Sequence, residues 1–161
     1  MGALDREPRE YISEQTFLKW MTRGSPRLGD IFFTTEAPLA NICLNDIKEP
    51  FALAQRVICL QPYSSINTDY LIFALTSQTM QSIIDEQSTG MTAKGIKASK
   101  LKPIAIPIPP LAEQHRIVAK VNELMALCDQ LKSSLQQAQE TQILLTDAVV
   151  ENALITQESP E

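Results

Sequence analysis

The chain has 161 residues, of which 44% are hydrophobic and 20% are charged, and its formal net charge is −5. This composition is typical of a globular domain and excludes collagen-like, disordered and membrane-spanning chains, since no window approaches the roughly 18 consecutive apolar residues that a membrane span needs. The charge divides by position: residues 1–112 carry 11 basic and 11 acidic side chains, whereas residues 113–161 carry 3 basic and 8 acidic ones.

The predicted elements mix helices and short strands without a regular βαβ rhythm, which indicates an α+β fold. Residues 1–10 are expected to be a disordered lead. In chain order we then predict a short helix capped by Ser13 and ended by Gly24, strands at Ile31–Thr35, Leu39–Leu44 and Gln55–Leu60, a helix over Asn67–Asp85 that breaks near Ser77, a loop at Thr92–Gly95, and an edge strand or extended connector at Ile104–Ile108.

From Leu111 onward the sequence is typical of one long helix, because no Gly or Pro occurs before Pro160. Alternating steps of 4 and 3 residues follow an apolar seam, as in a coiled coil. The seam consists of Ile117, Val121, Leu124, Cys128, Leu131, Leu135, Ala138, Leu145 and Val149, interrupted by the polar Gln142 and ending at Asn152. Such a helix would be about 65–70 Å long, so we expect it to project and to need a partner helix. The alternative is an ordinary long core helix.

These patterns divide the chain into a small mixed domain over residues 11–108, a long helix over residues 109–156 and a disordered tail over residues 157–161. Three cysteines (Cys43, Cys59 and Cys128) lie far apart, with no Cys-x-x-Cys pair. This spacing argues against a disulfide scaffold or a zinc site and favours a reducing cytoplasm.

Catalytic patterns are scarce in the sequence. The single histidine, His115, has no nucleophile motif nearby, so we interpret it as structural. No phosphate-binding glycine loop and no amino-methyltransferase tetrapeptide occurs, so no nucleotide or other cofactor is predicted. Asp30, Asp46 and Lys48 could imitate the acid-x-lysine signature of a metal-dependent nuclease, and this interpretation stays open as a minor alternative.

The basic residues of the mixed domain are unevenly distributed. No acidic residue occurs from Gln87 to Ala112, and Lys94, Lys97, Lys100 and Lys102 lie within this stretch. Such lysines can neutralise DNA phosphates, although a solvated surface would look the same. Arg23 and Arg27, near the end of the first helix, could contact the DNA backbone or guanine edges. For Arg56 the alternative to DNA contact is an ion pair with a neighbouring carboxylate.

Several segments together resemble the specificity (DNA-recognition) subunit of type I restriction–modification systems. The resemblance is carried by residues 88–101 (STGMTAKGIKASKL), 104–114 (IAIPIPPLAEQ) and 116–118 (RIV), with support from 29–34 (GDIFFT), 37–38, 53–57 and 144–154. It covers about residues 11–155. It implies a DNA target-recognition domain, including Thr89 of the Thr-Gly loop as a DNA-binding residue, followed by a conserved helix.

The resemblance also implies partners and an incomplete subunit. A whole specificity subunit has two recognition domains and two conserved helices, whereas this sequence contains one of each and no Trp-containing opening segment before Tyr11. We therefore expect half a subunit, or a fragment, that binds double-stranded DNA and non-catalytically positions methyltransferase and nuclease subunits. The resemblance further implies that two copies pair antiparallel through the helix. The competing interpretation is a coiled-coil adapter or dimerisation module that binds protein rather than DNA.

Overall fold

The computed structural model describes residues 2, 4, 6–7, 10–22, 24–90 and 93–157, with side chains described as far as residue 150. Its elements are α1 (Glu14–Trp20), β1 (Ile31–Thr34), β2 (Ile42–Leu44), β3 (Val57–Leu60), α2 (Thr68–Thr76), α3 (Gln78–Gln87), α4 (Ala98–Leu101) and α5 (Leu111–Gln157). Three short strands and several helices without βαβ repeats confirm the predicted α+β class, with a long helix after the mixed domain. Among the described residues, no helix combines the length and apolar character needed to cross a bilayer.

The strands form one antiparallel sheet in the order β2-β1-β3, so β1 is central. Successive side chains of a strand point to opposite faces. Ile31 and Phe33 are fully buried on the face that belongs to the hydrophobic core. Phe32 lies on the other face, where it is aligned with Cys43 on β2 and Cys59 on β3. The ring of Phe51 meets Phe32 edge to face, with a centroid separation of 5.8 Å, and so helps to cover this second face.

The hydrophobic core lies between the sheet and the pair of helices α2 and α3. Ile72 and Leu75 of α2, and Met80 and Ile84 of α3, are buried and belong to the same cluster as the core face of β1. The helices are separated at Ser77, as predicted. The hydroxyl of Ser77 donates a hydrogen bond to the last turn of α2 and accepts the N–H of Met80 in the first turn of α3. One residue therefore caps both helices, in line with the preference for serine at N-caps.

Several predicted boundaries differ in the structure; the third strand, for example, begins at Val57 rather than at Gln55. The strand expected from Leu39 begins only at Ile42, because Ala40 has a φ of 57° and the chain is still turning there. The segment 104–108 forms no strand and is an extended connector, which was one of the two alternatives. Its prolines lack N–H donors, and its contact with α2 is a 2.7 Å hydrogen bond from the Tyr70 hydroxyl to the carbonyl oxygen of Pro107.

The chain divides into two compact units, Met1–Val118 and Ala119–Glu161. The first contains the sheet, α1 to α4 and the first turns of α5. The second consists of the remainder of α5, and the described part of it is one continuous helix, as the absence of Gly and Pro predicted. The domain limits of 11–108 and 109–156 remain predictions.

Candidate nucleic-acid interface

The acid-free stretch begins with a tight loop that is anchored to the end of β1. Thr89 and Gly95 exchange both of their backbone hydrogen bonds, each 2.9 Å long. Gly90, inside the loop, has a φ of 117°, and a Cβ there would lie 2.1 Å from the carbonyl oxygen of Ala93, so the loop requires glycine. The N–H of the buried Ile96 then donates to the carbonyl oxygen of Thr35. The backbone that leads into Lys97 and the later lysines is therefore joined to the end of β1.

The four lysines of this stretch differ in how their charge is compensated. The ammonium group of Lys94 lies 2.6 Å from both carboxylate oxygens of Asp85. Lys97, Lys100 and Lys102 are exposed, and within the described part of the chain no carboxylate pairs with them. Lys97 is the N-cap of the short helix α4, and Lys100 lies within it. This helix was not predicted from the sequence. Three of the four predicted lysines thus offer uncompensated positive charge.

The other predicted contact residues are more scattered. Thr89 is exposed beside the loop glycine. Arg23 lies outside the described residues. Arg56 donates through Nε to a carboxylate oxygen of Glu36 at 2.7 Å, which is the ion-pair alternative considered for it.

Arg27 occupies the first position of a β-turn that precedes β1. The N–H of Asp30 donates to the Arg27 carbonyl oxygen at 3.0 Å, and Gly29 has a φ of 89°, as the third residue of a type II turn requires. The carboxylate of Asp30 accepts the N–H of Arg27 at 2.7 Å. The side-chain amide of Asn45 donates to the Arg27 carbonyl oxygen at 2.9 Å. The guanidinium group is exposed and has no ion-pair partner among the described residues.

Two polar side chains beneath this turn are buried. Asp30 is 5% exposed and Asn45 is 0% exposed. The Asp30 Oδ2 atom also accepts hydrogen bonds from Gln61 Nε2 at 3.0 Å and from the Cys59 thiol at 3.4 Å. Burial, followed by the hydrogen bond to Asp30 and its negative charge, raises the pKa of Cys59 to about 12, so the thiol keeps its proton. Sequence reasoning missed this network, because its members are far apart in the chain.

The lysine segment and the Arg27 turn lie at opposite ends of β1. The turn ends at Asp30, directly before the strand, whereas Ile96 is joined to Thr35, directly after it. About 17 Å of extended chain separates these two positions. That length corresponds to about five base-pair steps of a duplex, at 3.4 Å for each phosphate of one strand. The structure therefore anchors the two basic segments at opposite ends of one strand.

The two carboxylates of the nuclease alternative already have partners within the chain. The carboxylate of Asp30 is occupied by the hydrogen bonds of the turn, and Asp46 forms an ion pair with Arg6. Among the residues that the structure describes, no group of three or more His, Cys, Asp and Glu side chains could hold a metal ion. The structure thus provides no geometric support for a metal-dependent active site in its described part.

The start of α5 is fixed to the start of α2 through Gln114, which the sequence offered only as part of the 104–114 motif and without a structural role. Gln114 is 1% exposed, and its Oε1 atom accepts the N–H of Asn67 at 2.7 Å. Its Nε2 atom donates to the carbonyl oxygens of Ser65 and Pro109. The Nδ1 atom of the exposed His115 ring lies 3.3 Å from Asn67 Nδ2. Gln114 and His115 therefore both connect the start of α5 to the start of α2.

The predicted seam of α5 is mostly open to solvent in a single chain. Leu131, Leu135, Leu145 and Val149 are each 63–68% exposed, and Leu124 is 49% exposed. Ile117 and Val121, nearer the start of α5, are partly buried. Cys128 is an exposed free thiol. Regularly spaced apolar side chains with this exposure are typical of a helix that pairs with another helix.

Comparisons with known proteins agree on one family. Residues 25–140 match the family described as the type I restriction modification DNA specificity domain. The EcoAI specificity subunit of Escherichia coli is 30% identical over 134 residues, and the EcoEI subunit is 29% identical over 133 residues. Each alignment covers 78% of this chain and 22% of the relative. The EcoBI subunit is 26% identical over 94% of this chain and 32% of its own length. The chain thus spans a fifth to a third of these relatives.

Proposed function

The chain belongs to the family of type I restriction modification DNA specificity domains, and we propose that it is a DNA target-recognition module of such a system. The observation that carries this proposal is the family match over residues 25–140, which includes the whole sheet, α2 to α4 and much of α5. One recognition domain and one long helix would form half of a specificity subunit or a fragment of one, since the chain spans 22–32% of these relatives. The relatives are named as specificity subunits, not as the nuclease or the methyltransferase.

The proposed DNA contacts are of two kinds. Lys97, Lys100 and Lys102 would neutralise phosphates, because they are exposed and their charges are uncompensated in the described chain. Lys94 would contribute less, since Asp85 already holds its ammonium group. Phosphate contacts release bound counterions, so the affinity of the chain for DNA should fall steeply with salt. Thr89 and Arg27, together with the predicted Arg23, complete the proposed set.

We propose that the long helix assembles two copies of the chain. The exposed seam supports pairing, and the resemblance to a whole subunit with two helices suggests an antiparallel arrangement. Such a dimer would present two recognition domains to one DNA molecule. The modification and restriction subunits of the system are the further partners that we propose. The free cysteines suit the cytoplasm, where these partners would meet DNA.

The proposed role is non-catalytic. Asp30 and Asp46, the carboxylates of the nuclease alternative, are engaged in hydrogen bonds or an ion pair within the chain. Methylation and cleavage would therefore belong to the partner subunits, and the chain would supply the choice of sequence. We accordingly expect no cleavage of DNA with magnesium and no methyl transfer from S-adenosylmethionine by the purified chain.

A titration of labelled duplex DNA with the full chain tests this function. The binding should be salt-sensitive, should need no magnesium and should leave the DNA intact. Cleavage in the presence of magnesium would contradict the non-catalytic role and favour the nuclease alternative. A chain that dimerises but binds no duplex at low salt would contradict the DNA-recognition function and favour the adapter alternative.

A further inference from the structure

The turn Arg27–Asp30 holds its first residue by the main chain and leaves the side chain free. Both backbone groups of Arg27 are bonded, the N–H to Asp30 and the carbonyl oxygen to Asn45 and to the Asp30 N–H. The guanidinium group and the neighbouring Leu28, which is 56% exposed, point to solvent. The position of the Arg27 backbone is therefore fixed, while its side chain forms no hydrogen bond or ion pair with the residues that the structure describes.

The supporting side chains are themselves costly to bury. A buried carboxylate or amide destabilises a fold unless its polar atoms are hydrogen-bonded. Asn45 satisfies this requirement through backbone atoms, because its amide donates to the Arg27 carbonyl oxygen and its Oδ1 atom accepts the Ile47 N–H at 3.1 Å. Asp30 satisfies it on Oδ2, which accepts the Arg27 N–H and the side chains of Gln61 and Cys59. Apolar side chains beneath a surface turn could support it without burying a carboxylate or an amide. The network instead fixes the place from which one arginine extends.

A fixed backbone matters more for reading a base than for contacting a phosphate. Arginine recognises guanine by two parallel hydrogen bonds to O6 and N7, and this geometry tolerates little displacement. A phosphate contact needs only a nearby positive charge. Lys97 and Lys100 suit the second task, because each carries a compact ammonium group that is exposed and uncompensated among the described residues. The two basic positions thus differ in residue type, and the planar pair of donors belongs to the arginine.

From these contacts we propose that Arg27 is a specificity-determining residue that reads a guanine edge, and that Asp30 and Asn45 are its positioning residues. This inference rests on the proposed DNA-recognition function and goes beyond it by assigning base reading to the turn before β1. Leu28 beside it offers an apolar surface of the kind that contacts a thymine methyl group.

The test is selection of bound duplexes from a pool with a randomised core, using the full chain and sequencing the bound fraction. The unmodified chain should select a motif that contains a guanine. Arg27→Ala and Arg27→Lys should both lose the preference at that base pair by about five- to 150-fold, while other positions keep theirs. Arg27→Lys should retain its affinity for unrelated DNA, because the charge is kept. Lys97→Gln is the matched control, and it should weaken all sequences equally.

The positioning role is tested with Asp30→Asn and with Gln61→Leu. The three donors all meet one oxygen of Asp30, Oδ2, and an amide at position 30 would replace these charge-assisted hydrogen bonds by weaker neutral ones. The turn should therefore loosen and the same base-pair preference should weaken, with Arg27 still present. If Asp30→Asn fails to fold, Gln61→Leu removes one donor to Asp30 from an exposed residue and should give a smaller loss at the same base pair.

Each outcome decides between the proposals. An unchanged motif in Arg27→Ala would overturn base reading by Arg27 and leave DNA recognition intact. Full retention in Arg27→Lys alone would overturn the requirement for a guanidinium group at this position. An unchanged motif in Gln61→Leu and in a folded Asp30→Asn would overturn the positioning role alone. Failure of the unmodified chain to bind any duplex would overturn the proposed function and this inference together.

Discussion

The side-chain oxygen of Gln114 accepts a hydrogen bond from the backbone N–H of Asn67, 47 residues earlier in the chain, at 2.7 Å. Asn67 is also the N-cap of α2, where its own side chain accepts the N–H of Tyr70. The first turn of α5 and the first turn of α2 are thus joined through one buried amide. Because the second unit of the chain continues α5, this amide anchors the beginning of the helix that carries the seam.

We predict that Gln114→Ala destabilises the first unit by about 2–3 kcal/mol, since it leaves a buried donor and two carbonyl oxygens without a partner. Denaturant unfolding followed by the fluorescence of Trp20 measures the change, because the chain contains a single tryptophan and its indole N–H donates to the Leu53 carbonyl oxygen. Gln139→Ala, on the exposed part of α5, is the control and should change stability by less than about 0.5 kcal/mol. Equal effects would argue against this role of Gln114.

The uncompensated lysines should dominate the salt dependence of DNA binding. Replacing Lys97, Lys100 and Lys102 together by Gln should weaken binding and reduce the slope of log affinity against log salt by up to about 0.9 for each phosphate that the variant no longer neutralises. The matched control is Asp85→Asn with Lys94→Gln, which removes an ion pair without changing the net charge. The slope of the control should stay the same. If only the control altered the slope, the phosphate-binding surface would have to lie around Lys94.

The seam predicts a dimer whose orientation can be tested by cysteine chemistry. In an antiparallel pair centred near residue 135, Cys128 lies about 20 Å from its twin but opposite position 142 of the partner. Mild oxidation should therefore give no Cys128 disulfide in the unmodified chain and a ready disulfide in Gln142→Cys. A ready disulfide in the unmodified chain would instead indicate a parallel pair.

Charge in the seam should separate the two copies. Leu131→Asp with Leu135→Asp places unpaired carboxylates in two consecutive layers, so light scattering should find a monomer at tens of micromolar. Ser133→Asp with Gln137→Asp adds the same charge on the opposite side of the heptad and should remain dimeric. A monomeric unmodified chain would refute pairing altogether.

The thiol of Cys59 should make stability pH-dependent only in alkali. Its pKa is about 12 in the folded chain and near 9 when unfolded, so both states are protonated below pH 9 and the contribution is fully present there. Between pH 9 and 12 the unfolded state loses its proton first, and stability should fall as pH rises. Cys59→Ser should show a shallower fall in unfolding measurements over this range. Identical curves would show that Cys59 is not the group responsible.

Thiol labelling provides a separate test of the same environment. Native chain at pH 8 should react slowly at Cys59, which stays protonated. Cys128 should react quickly in the monomeric Leu131→Asp, Leu135→Asp variant, where its thiol is exposed. Burial, with a smaller effect from Asp46, also raises the pKa of Cys43, so that residue should be slow as well. Rapid loss of all three thiols would contradict this assignment.

Features with local causes were predicted well from the sequence. Ser13 does cap α1 through the Thr16 N–H, and Ser77 does separate α2 from α3, because hydroxyl caps act within three residues. The long helix was predicted from the lack of Gly and Pro after Leu111. It begins directly after Pro110, whose carbonyl oxygen accepts the N–H groups of Glu113 and Gln114.

Features that depend on distant contacts could not be predicted in this way. Asp30 was considered only as a possible metal ligand, whereas its carboxylate holds the backbone of a turn together with Gln61, 31 residues away. Lys94 looks equivalent to Lys97 in the sequence, and only the fold brings it to Asp85. The pairing of such groups depends on how α3, α4 and the strands come together, and residue spacing alone does not encode it.

The turn at Arg27 has a consequence for how a recognition domain can change over generations. Asp30 and Asn45 contact only the N–H and carbonyl oxygen of Arg27, and every residue except proline offers both groups. Almost any side chain can therefore replace Arg27 without disturbing the hydrogen bonds that hold the turn. A single codon change at this position would alter the side chain that the domain presents to DNA and leave the fold intact. The turn is therefore a position at which recognition domains can diverge without losing stability.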